Sequence, residues 1–264
     1  MKRVNILFIN KYPTFHRGRV LKPQMLESLR DFPIDVFDTY IYKYSNGIVA
    51  GCELTIDDDY IIISPGIIRF NKVNYLLNKN HLIQYENFND LSILKVKFSD
   101  KKSNKDFQIH DTEIFIDRDT NIYKDELELC RFKLKTGAKL RTNYTDFEDM
   151  VTEYNTLNII SSPYSGYEKS TLSPIILRNF AKEALNYNLT NSFDICFCMQ
   201  CMENNRPLDR ELILSYISSR LGVENKDYSN ERIFNNLNKI LREIKTGNKS
   251  RLNTINRDNV IIVD

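Results

Sequence analysis

Between residues 44 and 77 the chain reads YSNGIVAGCELTIDDDYIIISPGIIRFNKVNYLL, with β-branched and aromatic runs separated by Asp, Asn, Pro and Gly. That pattern predicts four short strands, over residues 48–56, 60–64, 67–70 and 73–77. Asp57-Asp58-Asp59, Pro65-Gly66 and Asn71-Lys72 divide them. Pro65 presets φ and Gly66 tolerates a positive one, so that pair suits a tight turn. Alternation of apolar and polar positions continues in residues 91–98, 107–117 and 126–134, which predicts a sheet with one solvated face. In the last of these the parity slips at Cys130-Arg131, which predicts a β-bulge there. The charged stretch SDKKSNKD (99–106) reads as an exposed loop joining two strands.

On either side of this β region the period changes. Residues 4–8 form a short strand or extended piece, and YPTFHRGR (12–19) is a loop with a local basic cluster. Residues 23–30 predict a short helix with Met25, Leu26 and Leu29 on one face. Pro33 then opens a second helix, in which Val36, Phe37, Tyr40, Ile41 and Tyr44 recur at i, i+1, i+4, i+5 and i+8 as an apolar stripe. The stripe either packs on the β region or clamps a neighbouring subunit. After residue 170 the pattern is helical again. Ser173 caps a helix that starts at Pro174, and a second runs through residues 193–202. A third starts at Pro207 and stops at Gly222, and a fourth runs from a Ser229 cap to Gly247. A polar tail then ends in the apolar VIIV (260–263). The chain is therefore expected to be α+β, with an N-terminal helical arm (1–45), an antiparallel meander or sandwich-like domain (46–165) and a C-terminal helical domain (166–264).

The 264 residues carry 37 basic and 35 acidic side chains, a net charge of only +2. That balance argues against a nucleic-acid binder working through a massed positive field. No apolar run approaches the roughly 20 residues needed to span a bilayer. Five scattered cysteines suit free thiols in the reducing cytoplasm where the protein is made. The start of the chain, MKRVNILFINKYPTF, makes a poor signal peptide.

Candidate chemistry is sparse. SGYEKST (165–171) resembles the end of a phosphate loop, with Lys169 and Ser170 as the nucleotide-binding residues of an enzymatic alternative. However, Glu168 stands where the loop needs a glycine, and no apolar strand leads into it. Cys196, Cys198 and Cys201 lie in CFCMQC without the second ligand pair a structural zinc site uses. If that segment is helical, Cys198 and Cys201 share a face and Cys196 points elsewhere. His110-Asp111 is the one close His–carboxylate pair and falls in a candidate strand, where neighbours face opposite ways. The acidic turn 57–59 lacks the glycine and glutamate of a calcium loop. The expectation is no enzyme, no cofactor and no metal. The basic group around Arg17 and Arg19 suits ion pairing with an acidic partner rim more than nucleic acid.

Once these residues are laid out, a resemblance emerges. The form G-hydrophobic-x-x-G-C, a strand, P-G-hydrophobic and an asparagine turn into an aromatic strand resembles a module of bacteriophage and phage-tail-like particle proteins. Gly47, Gly51, Cys52, Pro65, Gly66 and Tyr75 match it, whereas Lys72 stands where a glycine is common. With ELELCRFKLKTGAKLR (126–141) and STLSPIILRNFAKEAL (170–185), nearly the whole chain is similar to a clostridial prophage tail protein, of a group in places labelled helicase-like. The resemblance implies a structural baseplate subunit of a contractile tail, in a phage or a bacteriocin-type particle released by lysis. It would be present in several copies, bound to other baseplate proteins and to tail-fibre or receptor-binding proteins. No nucleic acid, small-molecule substrate or membrane insertion is expected. A receptor-binding adhesion module is a third reading. The residues expected at its interfaces are Phe15, Arg17, Arg19, Phe37, Tyr40, Ile41 and Tyr44, together with Ile261 and Ile262 in the tail.

Overall fold

The computed structural model describes residues 9–203 and 206–247. The expected strand at 4–8 and the apolar tail with Ile261 and Ile262 lie outside the described residues. The chain is α+β and forms two compact units, Met1–Lys43 and Tyr44–Asp264.

The N-terminal unit holds one helix, α1 (Pro23–Tyr40), where two were expected. Pro33 lies inside it. A proline removes one donor from the helical ladder, but its fixed φ is close to the helical value, so the chain can run on through it. Amide–carbonyl bonds close both ends, Met25 N to Lys22 O at 2.9 Å and Ile41 N to Phe37 O at 3.1 Å. Tyr44 is therefore not on the helix. It opens the second unit, in an antiparallel bridge with Tyr167.

In that second unit the expected strand 48–56 is two strands, β1 (Gly47–Gly51) and β2 (Leu54–Asp57), which belong to different sheets. The break comes from Gly51 and Cys52, which both take positive φ and turn the chain between sheets. β3 (Tyr60–Ile63) pairs back on β2, and then the chain crosses again at Pro65-Gly66 into β4 (Gly66–Phe70). β4 pairs with β1 and with β5 (Val73–Leu77), and β6 (His81–Gln84) returns to pair with β3. The result is two interleaved three-stranded antiparallel sheets, β1-β4-β5 and β2-β3-β6.

The two crossings lie against each other. Cys52 N donates to Pro65 O at 3.3 Å, Ser64 N to Glu53 O at 2.9 Å, and Glu53 N to Ser64 Oγ at 2.9 Å. A Cβ on Gly51 would lie 2.0 Å from Pro65 O, and one on Gly66 would lie 2.4 Å from Cys52 N. Only glycine fits at either point. The next turn is tight in another way. Asn71 and Lys72 both have positive φ (48° and 66°) between paired Phe70 and Val73, which is a type I′ hairpin. Lys72 thus occupies a position that normally takes glycine, while Asn46 Oδ1 accepts from Asn71 N at 2.9 Å.

A third sheet follows the order β10-β7-β11, from β7 (Leu91–Phe98), β10 (Thr112–Asp117) and β11 (Glu126–Lys133). A small exposed hairpin, β8 (Lys102–Ser103) with β9 (Gln108–Ile109), sits between β7 and β10. The expected strand 107–117 is thereby split, with His110 and Asp111 between its two parts. The bulge in β11 falls between Glu128 and Cys130, immediately before the dipeptide where the parity slips.

Four helices complete the unit: α2 (Pro174–Ala184), α3 (Ser192–Glu203), α4 (Arg210–Leu221) and α5 (Asn230–Thr246). Ser173 Oγ accepts from Ile175 N and Ser229 Oγ from Arg232 N, so both expected serine caps are in place. Gly222 and Gly247, at φ 64° and 67°, end α4 and α5 in the left-handed conformation. One buried apolar cluster runs from Ile61 and Phe132 in the sheets to Phe180 and Ile240 in the helices. Aromatic pairs knit it together: Phe147 stacks on Phe234 at 4.4 Å, Phe197 on Tyr216 at 3.9 Å and Phe70 on Phe98 at 3.9 Å.

Two substitutions test this geometry. Gly66→Ala forces a methyl into backbone atoms that cannot yield independently, and is expected to cost about 3 kcal/mol in urea unfolding of the full chain. Lys72→Gly relieves the left-handed strain at the hairpin and is expected to raise stability by about 1 kcal/mol, read as a higher urea midpoint at unchanged slope.

Candidate protein interaction surface

The N-terminal unit separates its side chains by chemistry. On a helix of 3.6 residues per turn, Met25, Leu29, Phe32, Val36 and Tyr40 form one stripe of α1. Glu27, Asp31, Asp35 and Asp38 form another on the opposite side. Helices of this kind normally bury the apolar stripe, yet no residue of α1 is buried. Leu26, Leu29, Phe32, Val36 and Tyr40 keep between 43% and 60% of their surface exposed. Ile9, Tyr12, Phe15, Val20 and Leu21, in the segment before the helix, are exposed as well. That segment carries Lys11, Arg17, Arg19 and Lys22 and no acid, whereas α1 has four acids and one arginine. Arg30 is bonded to its neighbour Asp31 at 2.6 Å. The segment turns at Gly18, where Arg19 N meets His16 O at 3.2 Å, and Lys11 O accepts from Ser28 Oγ at 3.0 Å.

Among the residues expected at interfaces, Phe15, Arg17, Arg19 and Tyr40 are exposed in this unit. Phe37 is half-buried, and Ile41, just past the helix, is buried. Tyr44 is half-buried in the other unit. Helical recurrence, with Pro33 taken as a helix start, predicts two short helices. Their faces merge into one longer stripe, a signal visible in the recurrence of Met25, Leu29, Phe32, Val36 and Tyr40 once Pro33 is allowed inside.

The other candidate chemistry resolves into structural roles. In SGYEKST the backbone donors that would wrap a phosphate are in use. Lys169 N bonds Tyr167 O, Thr171 N bonds Tyr164 O and Gly166 N bonds Ser45 Oγ. The Lys169 ammonium lies 3.7 Å from Asp227. Asp227 also takes a 2.6 Å bond from the largely buried Arg210, whose guanidinium further donates to Ser170 O at 3.0 Å, to Asn230 Oδ1 at 2.8 Å and to Tyr228 O. Arg210 and, after it, Lys169 hold the Asp227 carboxyl below its ordinary pKa. The loop is pinned to α4 through the Ser170 carbonyl, and its Lys169 ammonium is turned toward Asp227.

In α3, Cys198 and Cys201 share the buried face and Cys196 is exposed, as expected for a helix. Burial, then the nearby Asp194, pushes the Cys198 thiol up to about 12, and burial raises that of Cys201 too. Both are apolar packing groups at neutral pH. Among the described residues no group of three His, Cys, Asp or Glu is placed to hold a metal ion.

One site escaped the sequence reading. Lys95 is fully buried in β7, with its ammonium 2.9 Å from Asp117, 3.3 Å from Glu126 and 2.6 Å from Asn121 O. Burial disfavours its charge, but the bonds to Asp117 and Glu126 outweigh that and raise its pKa. Asp117, Asp119 and Asn121 have the D-x-D-x-N spacing of a cation loop, and that spacing was the available signal. The cation here is the lysine. A shallow groove of about 310 Å³ beside β11 has its charges satisfied, Arg131 by Glu128 at 2.7 Å and Lys133 by Glu153 at 3.0 Å.

No protein-family model matches the chain, and no curated protein matches it. Among solved structures it is similar to a crystal structure of TssK, at 8% identity and a TM-score of 0.40, over 94% of this chain and 71% of that one. It is also similar to a chain of the type VI secretion system TssK-TssF-TssG baseplate subcomplex, at 8% identity and a TM-score of 0.37, over 88% of this chain and 98% of that one. A third similarity, at 9% identity and a TM-score of 0.41, is to a chain of the baseplate complex from the type VI secretion system, over 89% and 69%. Among the described residues no helix is long and apolar enough to cross a membrane.

The loop assignment has a direct check. Lys169→Ala is expected to change stability by less than about 0.5 kcal/mol and ATP with magnesium to give no binding heat in calorimetry, whereas Arg210→Ala should cost about 3–5 kcal/mol.

Proposed function

We propose that this protein is a structural subunit of a contractile-tail baseplate and that its N-terminal unit is the joint by which it grips neighbouring subunits. The observation that carries this reading is the uncovered apolar stripe of α1. An isolated helix of 18 residues is marginal in water, more so with a proline inside, and its stability normally comes from packing of the amphipathic face. A patch of this extent on a folded chain marks a binding surface. The fitting mode is a helix laid in an apolar groove, with Leu29, Phe32, Val36 and Tyr40 as successive anchors. Phe15 and the half-buried Phe37 would extend the apolar contact, whereas Ile41 is buried within the unit, and Arg17 and Arg19 would meet an acidic rim. The four acids on the back of α1 disfavour an anionic membrane surface as the alternative support.

The assembly itself is named by the resemblance of residues 47–75 to tail-particle modules, which also suggests tail-fibre or receptor-binding proteins among the partners. Work of this kind proceeds through area and shape and needs no reacting group. In this reading the second unit, with its own continuous core, is the rigid body that the joint positions, and the protein is no enzyme.

Removing residues 1–43 is expected to leave a cooperatively folding chain that no longer enters assembled particles, measured by thermal melting and by its absence from purified tails. Phe32→Asp combined with Val36→Asp should lower incorporation at least tenfold with an unchanged melting temperature. Particles that take up either variant normally would overturn the assignment of the joint.

A further inference from the structure

We propose that Arg69 is the floor of a recessed carboxylate-binding site, which takes an aspartate or glutamate side chain with apolar neighbours from a partner protein. The site lies in the second unit and does not rest on the joint proposed above. Arg69 is in the central strand of the sheet β1-β4-β5, paired with Gly47 on one side and Asn74 on the other. It is only 4% exposed. Gly47 leaves room for residues 163–165 beside it, since a Cβ there would lie 2.7 Å from Pro163 O. A buried guanidinium is ordinarily matched by a carboxylate, because holding its charge out of water alone is costly. The other buried cations obey that rule: Lys95 meets Asp117, Arg210 meets Asp227 and Arg220 meets Asp194. Arg69 breaks it. Its Nε donates to Tyr44 O at 3.3 Å and its Nη1 to Asn74 Oδ1 at 3.0 Å, both uncharged acceptors. Among the described residues no carboxylate lies within ion-pairing reach of it. Glu168, next to the Tyr167 that bridges Tyr44, is exposed and engaged elsewhere.

The unused donors remain within reach of a ligand. Nη2 has no partner among the described residues. The sealed polar side-chain atoms without a partner belong to Ser162, Thr171 and Asn238, so Nη2 reaches solvent. The surroundings select the anion. β1, β4, β5 and the turn Asn71-Lys72 contain no Asp or Glu, and the exposed Lys72 has no ion pair among the described residues. Paired residues of neighbouring strands share a face, so Ile67 and Leu76 lie beside Arg69 and Asn74, on the side away from Ile68 and Tyr75. Leu76 is 73% exposed. A recessed cation with an apolar neighbour accepts a slim charged tip that apolar residues flank. A phosphodiester backbone is bulkier, and surfaces that bind it spread many exposed cations along its path, which this sheet lacks. The free edge of a guanidinium also matches a planar carboxylate through two parallel bonds.

The test melts the full chain with sodium acetate as the probe and sodium chloride at equal ionic strength as the blank. A single ligand at about five times its dissociation constant raises the melting temperature of a chain this size by about 2–4 °C. That rise is expected for the wild type at on the order of 300 mM acetate, and none for Arg69→Met or Arg69→Gln. Both variants should melt within about 4 °C of the wild type in chloride, because the charge they remove has no counterpart there. The blocked peptide acetyl-Leu-Asp-Leu-amide should give the same rise at a concentration at least about tenfold lower, since its leucines bury against Leu76. Its asparagine counterpart should give none. Equal responses in wild type and variants, or no response in either, overturn the proposal. So do variants that fail to fold, which would make the arginine a structural member, and a peptide no better than acetate. Inorganic phosphate that outdoes acetate at equal ionic strength, and loses that excess in the variants, assigns the site to phosphoryl groups and overturns it as well.

Discussion

Two strands of backbone pass each other in the second unit at a separation that leaves no room for a side chain. At Gly51-Cys52 the chain leaves one sheet and at Pro65-Gly66 it comes back, and the two passages bond to each other. The rest of the β region follows from this. Because the crossings are locked, β1 and β4 share one sheet while β2 and β3 share the next, and Ile48, Ile61, Ile63 and Ile68 are all delivered to the same core. Cys52 sits at the crossing itself, buried against the backbone, and burial pushes its thiol up to about 11, so it packs as a small apolar group. A residue with a larger side chain at either glycine would separate the sheets before it could disturb anything else.

This arrangement explains how much could be read in advance. The helix ends were legible because capping is local: Ser173, Ser229, Gly222 and Gly247 act within a few residues of themselves. The β character of residues 47–134 was legible from alternation. The division of residues 48–56 between two sheets was not, since alternation describes which face a side chain takes and is silent on which strand lies alongside. The bulge in β11 was nearly placed because an inserted residue shifts the parity of everything after it. Pro33 was read as a helix start because the rule for proline weighs its missing donor, whereas in α1 its helical φ lets the ladder continue. The α1 face was half visible. Leu29 is expected on one short helix and Val36 and Tyr40 on the next, but with Phe32 they form one stripe only when the helix is unbroken.

Electrostatics in this chain is mostly an instrument of attachment. Arg210 draws the SGYEKST loop, α4 and the start of α5 together through one guanidinium, and Arg220 does the same for α3 and α5 through Asp194 and Glu243. Arginine suits this because its planar fork makes several directed bonds at once. By contrast, the exposed stripe of α1, with Leu29, Phe32, Val36 and Tyr40, is apolar.

Lys95 gives the Asp117–Glu126 region an unusual independence. Loops that gather carboxylates and carbonyls around a bound ion take their shape from the supply of that ion, and chelation or dilution undoes them. Here the positive centre is tethered to the neighbouring strand, so its local concentration never falls. A protein built this way keeps the same contour whether its surroundings are rich or poor in divalent cations. The ion-like centre is part of the covalent chain, so it cannot be exchanged or stripped away.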